Sequence, residues 1–429
     1  MITTPKGLRL HIGVFGRTNV GKSSLINLLT GQEVSIVSDI PGTTTDVVEK
    51  AMEILPVGPV LFLDTAGVDD ESLLGKERIR KAMEILKRCD VAVLVVEPDV
   101  FTDFEKSLIE KFKERKIPYA IVVNKVDTKK PSEAFLESLK KFNVPVMELS
   151  ASSDTREIAL SKFKEILIKI VPSEFLKEPQ LVGDLLPPGG IAVLVVPIDL
   201  EAPKGRLILP QVQTIRNILD SDAVAVVVKE RELPFILSVL SRKPDVVICD
   251  SQVVMKVAGD VPKDVKLTTF SILFSRLKGD ITEFAKGLAA IKNLQEGAKV
   301  LIAESCTHHP IEDDIGRVKI PRWIRQFTGL KNVEFHHHAG RSYPEDLSEY
   351  DVVVHCGACT LNRREMLSRI ELAKRAGTPI TNYGMTISLT QGVVERALEP
   401  FPSALRAYRN VIKRRKKNVS RRGCKILDI

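Results

Sequence analysis

One segment near the start of the chain constrains the fold more than any other. Residues 10–15 form an apolar run, LHIGVF, and the next eight residues, from Gly16 to Ser23, read Gly-Arg-Thr-Asn-Val-Gly-Lys-Ser. Apolar residues between positions 25 and 29 then recur with the spacing of an amphipathic helix. A strand, a Gly-x-x-x-x-Gly-Lys-Ser loop and a helix in this order predict a phosphate-binding loop, whose backbone N–H groups face the negative charge.

Two residues of this loop carry the chemistry that phosphates require. The pattern predicts that Lys22 reaches the outer phosphates and that Ser23 coordinates Mg²⁺. A second loop, residues 41–46, contains three adjacent threonines. A threonine in a loop of this kind can coordinate Mg²⁺ while its backbone senses the γ-phosphate. We expect Thr44 to take this role, with Thr43 and Thr45 as close alternatives.

The apolar run at residues 60–63 ends in Asp-Thr-Ala-Gly. In this position Asp64 is predicted to hold the magnesium through water, and the N–H of Gly67 is predicted to bind the γ-phosphate. The next residue is Val68, where Ras-like enzymes place the glutamine that orients the attacking water. Another group must therefore position the water for hydrolysis.

A third apolar strand, residues 120–123, leads into Asn124-Lys125-Val126-Asp127. A carboxylate at Asp127 can accept hydrogen bonds from N1–H and the N2 amino group of guanine, which adenine does not offer, so GTP is preferred over ATP. The triplet from Ser150 to Ser152 follows the next strand and offers backbone N–H groups to the guanine O6. The predicted GTP-binding residues are Gly16, Asn19, Val20, Gly21, Lys22, Ser23, Ser24, Thr44, Asp64, Gly67, Asn124, Lys125, Asp127, Ser150 and Ala151.

The order and wording of these motifs resemble the translation-factor-related GTPases of the TrmE, Era and EngA type. The resemblance implies an α/β fold with a six-stranded, mostly parallel sheet flanked by helices. It also implies that Asn19 is a K⁺ ligand, because relatives with Asn at the fourth loop position use it so. A potassium ion would supply a fixed positive charge beside the phosphates. The expected catalytic set is Lys22, Thr44, Gly67 and Asn19.

Apolar strands alternate with helical segments beyond a linker rich in proline and glycine, so two smaller α/β domains are expected after the Ras-like P-loop GTPase domain. We expect Cys249, at a strand end, and Cys89 to be buried rather than reactive. The expected domains are a GTP-binding domain at 1–172, an α/β domain at 181–270 that serves structure or self-association, a further α/β domain at 271–400 and a basic tail at 401–429.

Cysteines follow two predicted strands of the third domain. Cys306 and His308 follow the strand at 300–303, and His355-Cys356-Gly357-Ala358-Cys359 follows the strand at 352–354. Both groups lie just beyond the carboxyl ends of strands, where open α/β sheets bind ligands. Three thiolates with two histidines allow either a structural zinc or a 4Fe-4S cluster that lacks one cysteine ligand, and spacing alone does not decide between them.

This motif pair, behind a Ras-like domain, resembles the iron-iron hydrogenase maturation GTPases of the HydF family. The resemblance implies a homodimer with a 4Fe-4S cluster on Cys306, Cys356 and Cys359. It further implies a scaffold that receives a transient diiron subcluster precursor made with two radical-SAM maturases and passes it to apo FeFe-hydrogenase. The fourth cluster ligand stays open among His308, His355, an acid of the segment Glu312 to Asp314, and an exchangeable outside ligand.

The charge distribution bears on the rival interpretation, an RNA-linked GTPase with structural zinc. From Phe401 onward the chain has ten Lys and Arg against one Asp, a net charge of +9, so the total of +8 leaves −1 on the first 400 residues. The body is therefore not basic, and no RNA-binding module pattern is present. We expect no membrane partner and no nucleic acid. The sequence has no apolar run of transmembrane length, and its six cysteines do not suggest a disulfide framework, so we expect a cytoplasmic protein.

Overall fold

The structure is a computed structural model that describes residues 4–31, 48–65, 82–172, 181–197, 207–305, 314–340 and 343–423 of the 429-residue chain. It divides into two compact units, Met1–Pro179 and Gln180–Ile429. No helix in the described ranges is long and apolar enough to cross a membrane.

The first unit is built on one sheet. Its described strands are β1 (Leu10–Phe15), β2 (Val48–Ile54), β3 (Gly58–Asp64), β4 (Val91–Val96), β5 (Tyr119–Val123) and β6 (Val146–Glu148). Its described helices with both ends placed are α1 (Lys22–Thr30), α2 (Asp103–Glu114), α3 (Glu133–Lys140) and α4 (Arg156–Ile170). Among the described residues the sheet has six strands in the order β2-β3-β1-β4-β5-β6. Only β2 and β3 pair antiparallel, which confirms the predicted mostly parallel sheet.

Strand composition explains why this sheet is mostly parallel and buried between two layers of helices. All six residues of β4, with the sequence VAVLVV, are buried, and so are all residues of β1. Strands that are apolar on both faces require a cover on each side, which the crossover helices of a parallel sheet supply. Accordingly Val14 and Phe15, adjacent in β1, belong to two different hydrophobic clusters on opposite faces. This arrangement confirms the predicted Ras-like P-loop fold.

The second unit contains two four-stranded sheets among its described residues, with all strand pairs parallel. The first, ordered β10-β9-β7-β8, consists of β7 (Ile191–Val195), β8 (Val224–Val228), β9 (Val246–Cys249) and β10 (Lys266–Thr269). The second, ordered β12-β11-β13-β14, consists of β11 (Lys299–Ala303), β12 (Glu334–His338), β13 (Val352–His355) and β14 (Ile380–Asn382). One hydrophobic core spans both sheets, and the α/β prediction is confirmed.

Helices cover both sheets of the second unit. Those described are α5 (Leu209–Asp220), α6 (Leu233–Val239), α7 (Val254–Asp260), α8 (Phe270–Lys278), α9 (Ile281–Ile291), α10 (Ile320–Thr328), α11 (Arg363–Ala376), α12 (Tyr383–Thr390), α13 (Val394–Leu398) and α14 (Pro402–Gly423). The basic tail thus begins as helix α14, which packs against α9 through the buried residues Ala404 and Tyr408. Cys89 and Cys249 are both fully buried, as predicted.

One strand boundary differs from the sequence prediction. The apolar pattern favours a strand from Leu267 to Phe270, but β10 ends at Thr269 and Phe270 begins α8. The side-chain oxygen of Thr269 accepts a hydrogen bond from the N–H of Ile272 at 3.2 Å and so caps the helix. Threonine is common both in strands and at helix N-caps, so its presence alone does not show whether Phe270 ends the strand or begins the helix.

Candidate functional site

The phosphate-binding loop follows β1 and depends on its glycines. Gly16 has φ 148° and Gly21 has φ 91°, values that side chains rarely adopt. A Cβ at Gly16 would lie 2.3 Å from the carbonyl oxygen of Val95, and one at Gly21 would lie 2.2 Å from Nδ2 of Asn124. Both positions therefore require glycine, and the backbone of the loop is free to approach a ligand closely.

Lys22 lies inside the curve of this loop. Its Nζ donates to the carbonyl oxygens of Gly16 at 3.1 Å and Arg17 at 2.6 Å, and the side chain is buried. The loop thus concentrates one positive charge at its centre, close to backbone groups. A phosphate placed there would gain a charge-assisted hydrogen bond from the ammonium group.

Ser23 and Asp64 meet beside the loop. The hydroxyl of Ser23 donates to Oδ2 of Asp64 at 2.6 Å, whereas Oδ1 of Asp64 is buried with no hydrogen-bond partner among the described residues. Burial raises the pKa of Asp64, and its contacts with Ser23, Lys22 and Lys50 oppose that rise. A hydroxyl beside a buried, unsatisfied carboxylate oxygen is the donor set that hydrated Mg²⁺ prefers, so these residues fit the metal.

Asn124 connects two loops of the predicted GTP site by hydrogen bonds. This buried residue follows β5, donates through Nδ2 to the carbonyl of Val20 at 2.8 Å, and accepts through Oδ1 from the N–H of Ala151 at 2.9 Å. It therefore ties the phosphate loop to the loop after β6. Because both amide groups are satisfied within the protein, the role of Asn124 is to hold these loops in register.

Asp127 lies in the same region, and its side chain is an ionised hydrogen-bond acceptor. Its Oδ1 accepts from the hydroxyl of Ser150 at 2.6 Å and its Oδ2 accepts from the hydroxyl of Ser152 at 3.1 Å. The Ser150 hydrogen bond is the main cause that keeps the pKa of Asp127 below its ordinary value. Lys125, with φ 61°, pairs with Glu97 in the same region. A carboxylate in this state can accept the two donors of a guanine edge.

Other predicted residues of this site are placed as follows. Asn19 is exposed in the loop with φ 61°, and Ser24 is exposed in the first turn of α1. Thr44 and Gly67, together with their neighbours Thr43, Thr45 and Val68, lie outside the described residues. The described residues that were predicted to bind phosphate, magnesium and the base thus lie on loops that Asn124 and the Ser23–Asp64 hydrogen bond connect.

Sequence reasoning missed the contacts of Arg17, the second residue of the phosphate loop. Its Nε donates to Oε1 of Glu105 at 2.7 Å, its Nη2 donates to the hydroxyl of Thr102, and its guanidinium lies 5.2 Å from the centre of the Phe104 ring. These contacts tie the loop to the start of α2. The Thr-x-x-Glu pattern of Thr102 and Glu105 predicts a helix cap, but it does not predict that Arg17 binds the same two residues.

The candidate metal centre lies at the carboxyl ends of β11 and β13. Cys356 follows β13, and its Sγ accepts from the N–H of Ser305 at 3.2 Å and the N–H of Ala358 at 3.5 Å, while the Ser305 hydroxyl lies 3.3 Å away. These contacts hold the sulfur in place at the strand end, and cysteine sulfur is a ligand for both iron and zinc. The chemistry of this half-exposed residue therefore fits a cluster ligand.

Of the other residues predicted to bind the cluster, the structure describes only some. Cys359 is half-buried, and Cys306 and His308 lie outside the described residues. Burial raises the pKa of Cys359 and the neighbouring Cys356 raises it further, whereas the charge of Lys278 lowers it. Across the residues that the structure describes, no group of three or more His, Cys, Asp or Glu is arranged to bind a metal. Cys356 and Cys359 are therefore the two described cysteines of the three predicted ligands.

His355 is held by hydrogen bonds at both ring nitrogens. Nδ1 donates to the carbonyl of Cys356 at 2.9 Å, and Nε2 accepts from Nη1 of Arg369 at 3.0 Å. Burial and the Arg369 charge lower the pKa of His355 to about 3, so the ring is neutral. In this arrangement neither nitrogen is open to a metal, and the geometry does not favour the predicted ligand role of His355.

Two acids near this site have structural partners. Asp314 caps the turn Ile315–Lys319, accepting from the N–H of Arg317 at 2.8 Å; its predicted companions Glu312 and Asp313 lie outside the described residues. Glu304, which sequence reasoning missed, accepts from the buried Tyr383 hydroxyl at 2.9 Å. A single acid after a strand carries no signal of its own that would have found it.

Comparison with known families decides the identity of the chain. The sequence models of the Hydrogen maturase F dimerization domain and the Hydrogen maturase F tetramerization domain match residues 181–279 and 282–400, and that of the 50S ribosome-binding GTPase matches residues 11–125. The chain belongs to the HydF family. Both matched regions of its second unit are assembly domains, so this HydF chain self-associates, and its first unit is a GTPase domain.

Two curated GTPases are similar to about a third of this HydF chain. The tRNA modification GTPase MnmE of Desulforamulus reducens is 34% identical over 161 residues, 37% of this chain and 34% of that protein. The GTPase Der of Campylobacter hominis is 36% identical over 139 residues, 31% of this chain and 30% of that protein. The chain thus spans about a third of the length of these relatives.

Among solved structures, Era of Aquifex aeolicus bound to GDP·AlF4⁻ aligns at a TM-score of 0.33 with 26% identity, over 38% of this chain and 56% of that one.

Proposed function

We propose that this HydF chain is a GTP-hydrolysing scaffold that carries a 4Fe-4S cluster and delivers a diiron subcluster precursor to apo FeFe-hydrogenase. The observation that carries the proposal is the position of Cys356 just after β13 in a HydF chain, with its Sγ held by the N–H groups of Ser305 and Ala358. Cluster assembly requires reduced thiols, and the four described cysteines are free, in keeping with a cytoplasmic location.

The GTPase site works by holding the phosphates in a fixed electrostatic environment. Lys22 supplies a positive charge at the centre of the loop, and the backbone between Gly16 and Gly21 supplies N–H donors. Ser23 and Asp64 would hold Mg²⁺, which neutralises charge on the β- and γ-phosphates. Thr44, as a Mg²⁺ ligand, and Gly67, through its N–H to the γ-phosphate, complete the proposed set.

Val68 has no polar group and cannot orient the attacking water as a glutamine would. Another group must therefore stabilise the charge that develops on the phosphate in the transition state. Asn19 is exposed beside the loop and would serve as a K⁺ ligand. Potassium supplies a fixed positive charge where an arginine finger acts in other GTPases. Arg17 is held by Glu105 and does not fill this position in the described arrangement.

The cluster would be held by Cys306, Cys356 and Cys359. Its fourth iron is then left to an exchangeable ligand, which gives an incoming metal fragment a place to attach. Of the candidates for that position, Asp314 and His355 already have partners within the fold, which leaves His308, Glu312, Asp313 and an outside ligand. The protein would therefore present the cluster from one edge of the second sheet.

Metal analysis after anaerobic reconstitution tests the scaffold function directly. We expect about four iron atoms per chain, an EPR signal in the reduced protein, and perturbation of that signal by imidazole or cyanide. Serine at Cys306, Cys356 or Cys359 should remove most of the iron, whereas serine at Cys89, Cys249 or Cys424 should leave it. Stoichiometric zinc without iron would reject this function and favour the RNA-linked alternative.

The homodimer is proposed to form through the edge of β8 that pairs with no other strand among the described residues. This strand lies at the end of the β10-β9-β7-β8 sheet, and Val224 and Val227 are 50% and 45% exposed. Phe235 on the following helix is 66% exposed. An apolar edge strand is a template for pairing with another chain, and these residues lie within the matched dimerization domain. A second copy of this strand is the partner that fits.

A further inference from the structure

The two carbonyl groups that hold Lys22 are fixed in different ways. Lys22 donates to the carbonyl oxygen of Gly16 at 3.1 Å and to that of Arg17 at 2.6 Å. Gly16 directly follows β1, and its backbone lies so close to β4 that a Cβ there would meet the carbonyl oxygen of Val95. The sheet therefore fixes the first acceptor. Arg17 is one residue further into the loop, and its own side chain supplies a support for the second acceptor.

The side chain of Arg17 is anchored at the start of α2. Its Nε donates to Oε1 of Glu105 at 2.7 Å, and its Nη2 lies 3.5 Å from Oε2 of the same carboxylate and donates to the hydroxyl of Thr102. The side chain of Glu105 is only 2% exposed, and that of Arg17 is 29% exposed. Contacts from two guanidinium nitrogens to one buried carboxylate fix the orientation of the arginine as well as its distance.

Glu105 is itself held in place by the first turn of its helix. Its Oε2 accepts from the N–H of Thr102 at 2.7 Å and from the Thr102 hydroxyl at 3.0 Å, which completes the capping box of α2. A capping box requires only these contacts within the helix. The ion pair with a residue of the phosphate loop is therefore an additional feature, and it connects a fixed helix end to a loop that must hold its shape.

We infer that Glu105 is a positioning residue for GTP hydrolysis: through Arg17 it fixes the carbonyl group that holds the ammonium group of Lys22. The inference rests on the proposed function, because it requires Lys22 to act at the phosphates. A positive charge stabilises a transition state best when it is already in place and need not reorganise. A lysine with a loosened acceptor still reaches the phosphates, since its stem is flexible, so kcat should suffer more than GTP binding.

Phosphate release measured against GTP concentration, with Mg²⁺ and K⁺ present, tests this role in the full chain. A carboxylate accepts hydrogen bonds at both oxygens and an amide at only one, so Glu105→Gln cannot serve both Thr102 and Arg17. Arg17→Met removes the donors of the loop residue. We expect kcat to fall about tenfold in Arg17→Met and at least about threefold in Glu105→Gln, while KM changes by less than about twofold. The double variant should be no slower than Arg17→Met, because both changes break one contact.

Asp103→Asn is the matched control on the same helical turn. The side chain of Asp103 is 97% exposed and pairs with Lys106, so this change removes an acid from the first turn of α2 and leaves the contact with Arg17 in place. We expect it to keep the kcat and the KM of the parent chain. Thermal melting of each variant by circular dichroism reports the stability of the fold separately from the rate.

The outcomes separate the inference from the function on which it rests. A parent chain that does not hydrolyse GTP would reject the proposed GTPase function itself. An active parent whose kcat is retained in Arg17→Met and Glu105→Gln would overturn the inference. So would an equal loss in Asp103→Asn, because a weaker helix start would then be sufficient, and so would single losses that multiply in the double variant. If Arg17→Met does not fold, Glu105→Gln compared with Asp103→Asn decides the question.

Discussion

Arg369 donates a hydrogen bond to Nε2 of His355 across 3.0 Å, directly behind the Cys356 loop. The guanidinium also donates to the carbonyl of Gly340 at 3.2 Å and lies 4.7 Å from the centre of the Tyr343 ring. Because His355 in turn donates to the carbonyl of Cys356, the pair fixes the backbone at the first cysteine of the motif. Such indirect supports control metal sites without binding the metal.

This relationship predicts a non-additive pair of mutations. Arg369→Met leaves the buried Nε2 of His355 without its donor and should destabilise the second unit by about 1–3 kcal/mol. Adding His355→Phe removes the unsatisfied group, so the double variant should be more stable than the sum of the two single effects predicts. Calorimetry of the metal-free protein measures all three variants.

The control for this cycle is Arg375→Met, which removes a 75%-exposed guanidinium paired with Glu371 on the same helix. Its effect should stay within about 0.5 kcal/mol. Additive single mutations at Arg369 and His355 would show that the hydrogen bond does not couple them.

Nucleotide choice is predicted to depend on Asp127. Asp127→Asn replaces an ionised acceptor by an amide, so GTP binding should weaken by about 1.5–3 kcal/mol, at least tenfold, while xanthosine triphosphate should gain. Competition binding with a fluorescent GDP analogue gives both affinities. An Asp127→Asn protein that binds GTP like the parent would place base recognition elsewhere.

The rate of hydrolysis is predicted to depend on the monovalent cation. With Mg²⁺ present, phosphate release should be faster in potassium chloride than in sodium chloride at equal ionic strength, because K⁺ would supply transition-state charge at Asn19. Asn19→Ala should lose that advantage while still binding nucleotide. Equal rates of the parent protein in both salts would reopen the search for the catalytic group.

The sequence predicted local features of this fold well and distant contacts poorly. Strand β1, the glycine loop and α1 could be read directly, because adjacent residues determine a strand, a turn and a helix start. The partners of Arg17 and Lys278 could not, since a basic residue in a loop or in the last turn of a helix is ordinary. Only the folded chain brings Glu105 or Leu361 to these side chains.

The same limit applies to the candidate metal site. The spacing of Cys356 and Cys359 predicted a shared position at a sheet edge, and both follow β13. The role of His355 depended on whether its ring faces the loop or the core, and periodicity does not distinguish these for a residue at a strand end. Its hydrogen bond to Arg369, on a helix that starts later in the chain, answers this in three dimensions.

The dimer edge allows a test that separates backbone pairing from side-chain packing. The N–H of Val224 bonds to Gly190 on the β7 side, so alternation along the strand directs the N–H of Val227 away from β7, toward the open edge. Val227→Pro should remove one outward donor, leave the ladder to β7 intact, and halve the mass of the assembly in sedimentation velocity. Val227→Ala keeps the donor and should preserve the assembly, with a smaller loss of affinity from the lost methyl groups. A Val227→Pro variant that melts like the parent and sediments like it would count against β8 as the interface, because strand pairing at Val227 would lose an N–H hydrogen bond.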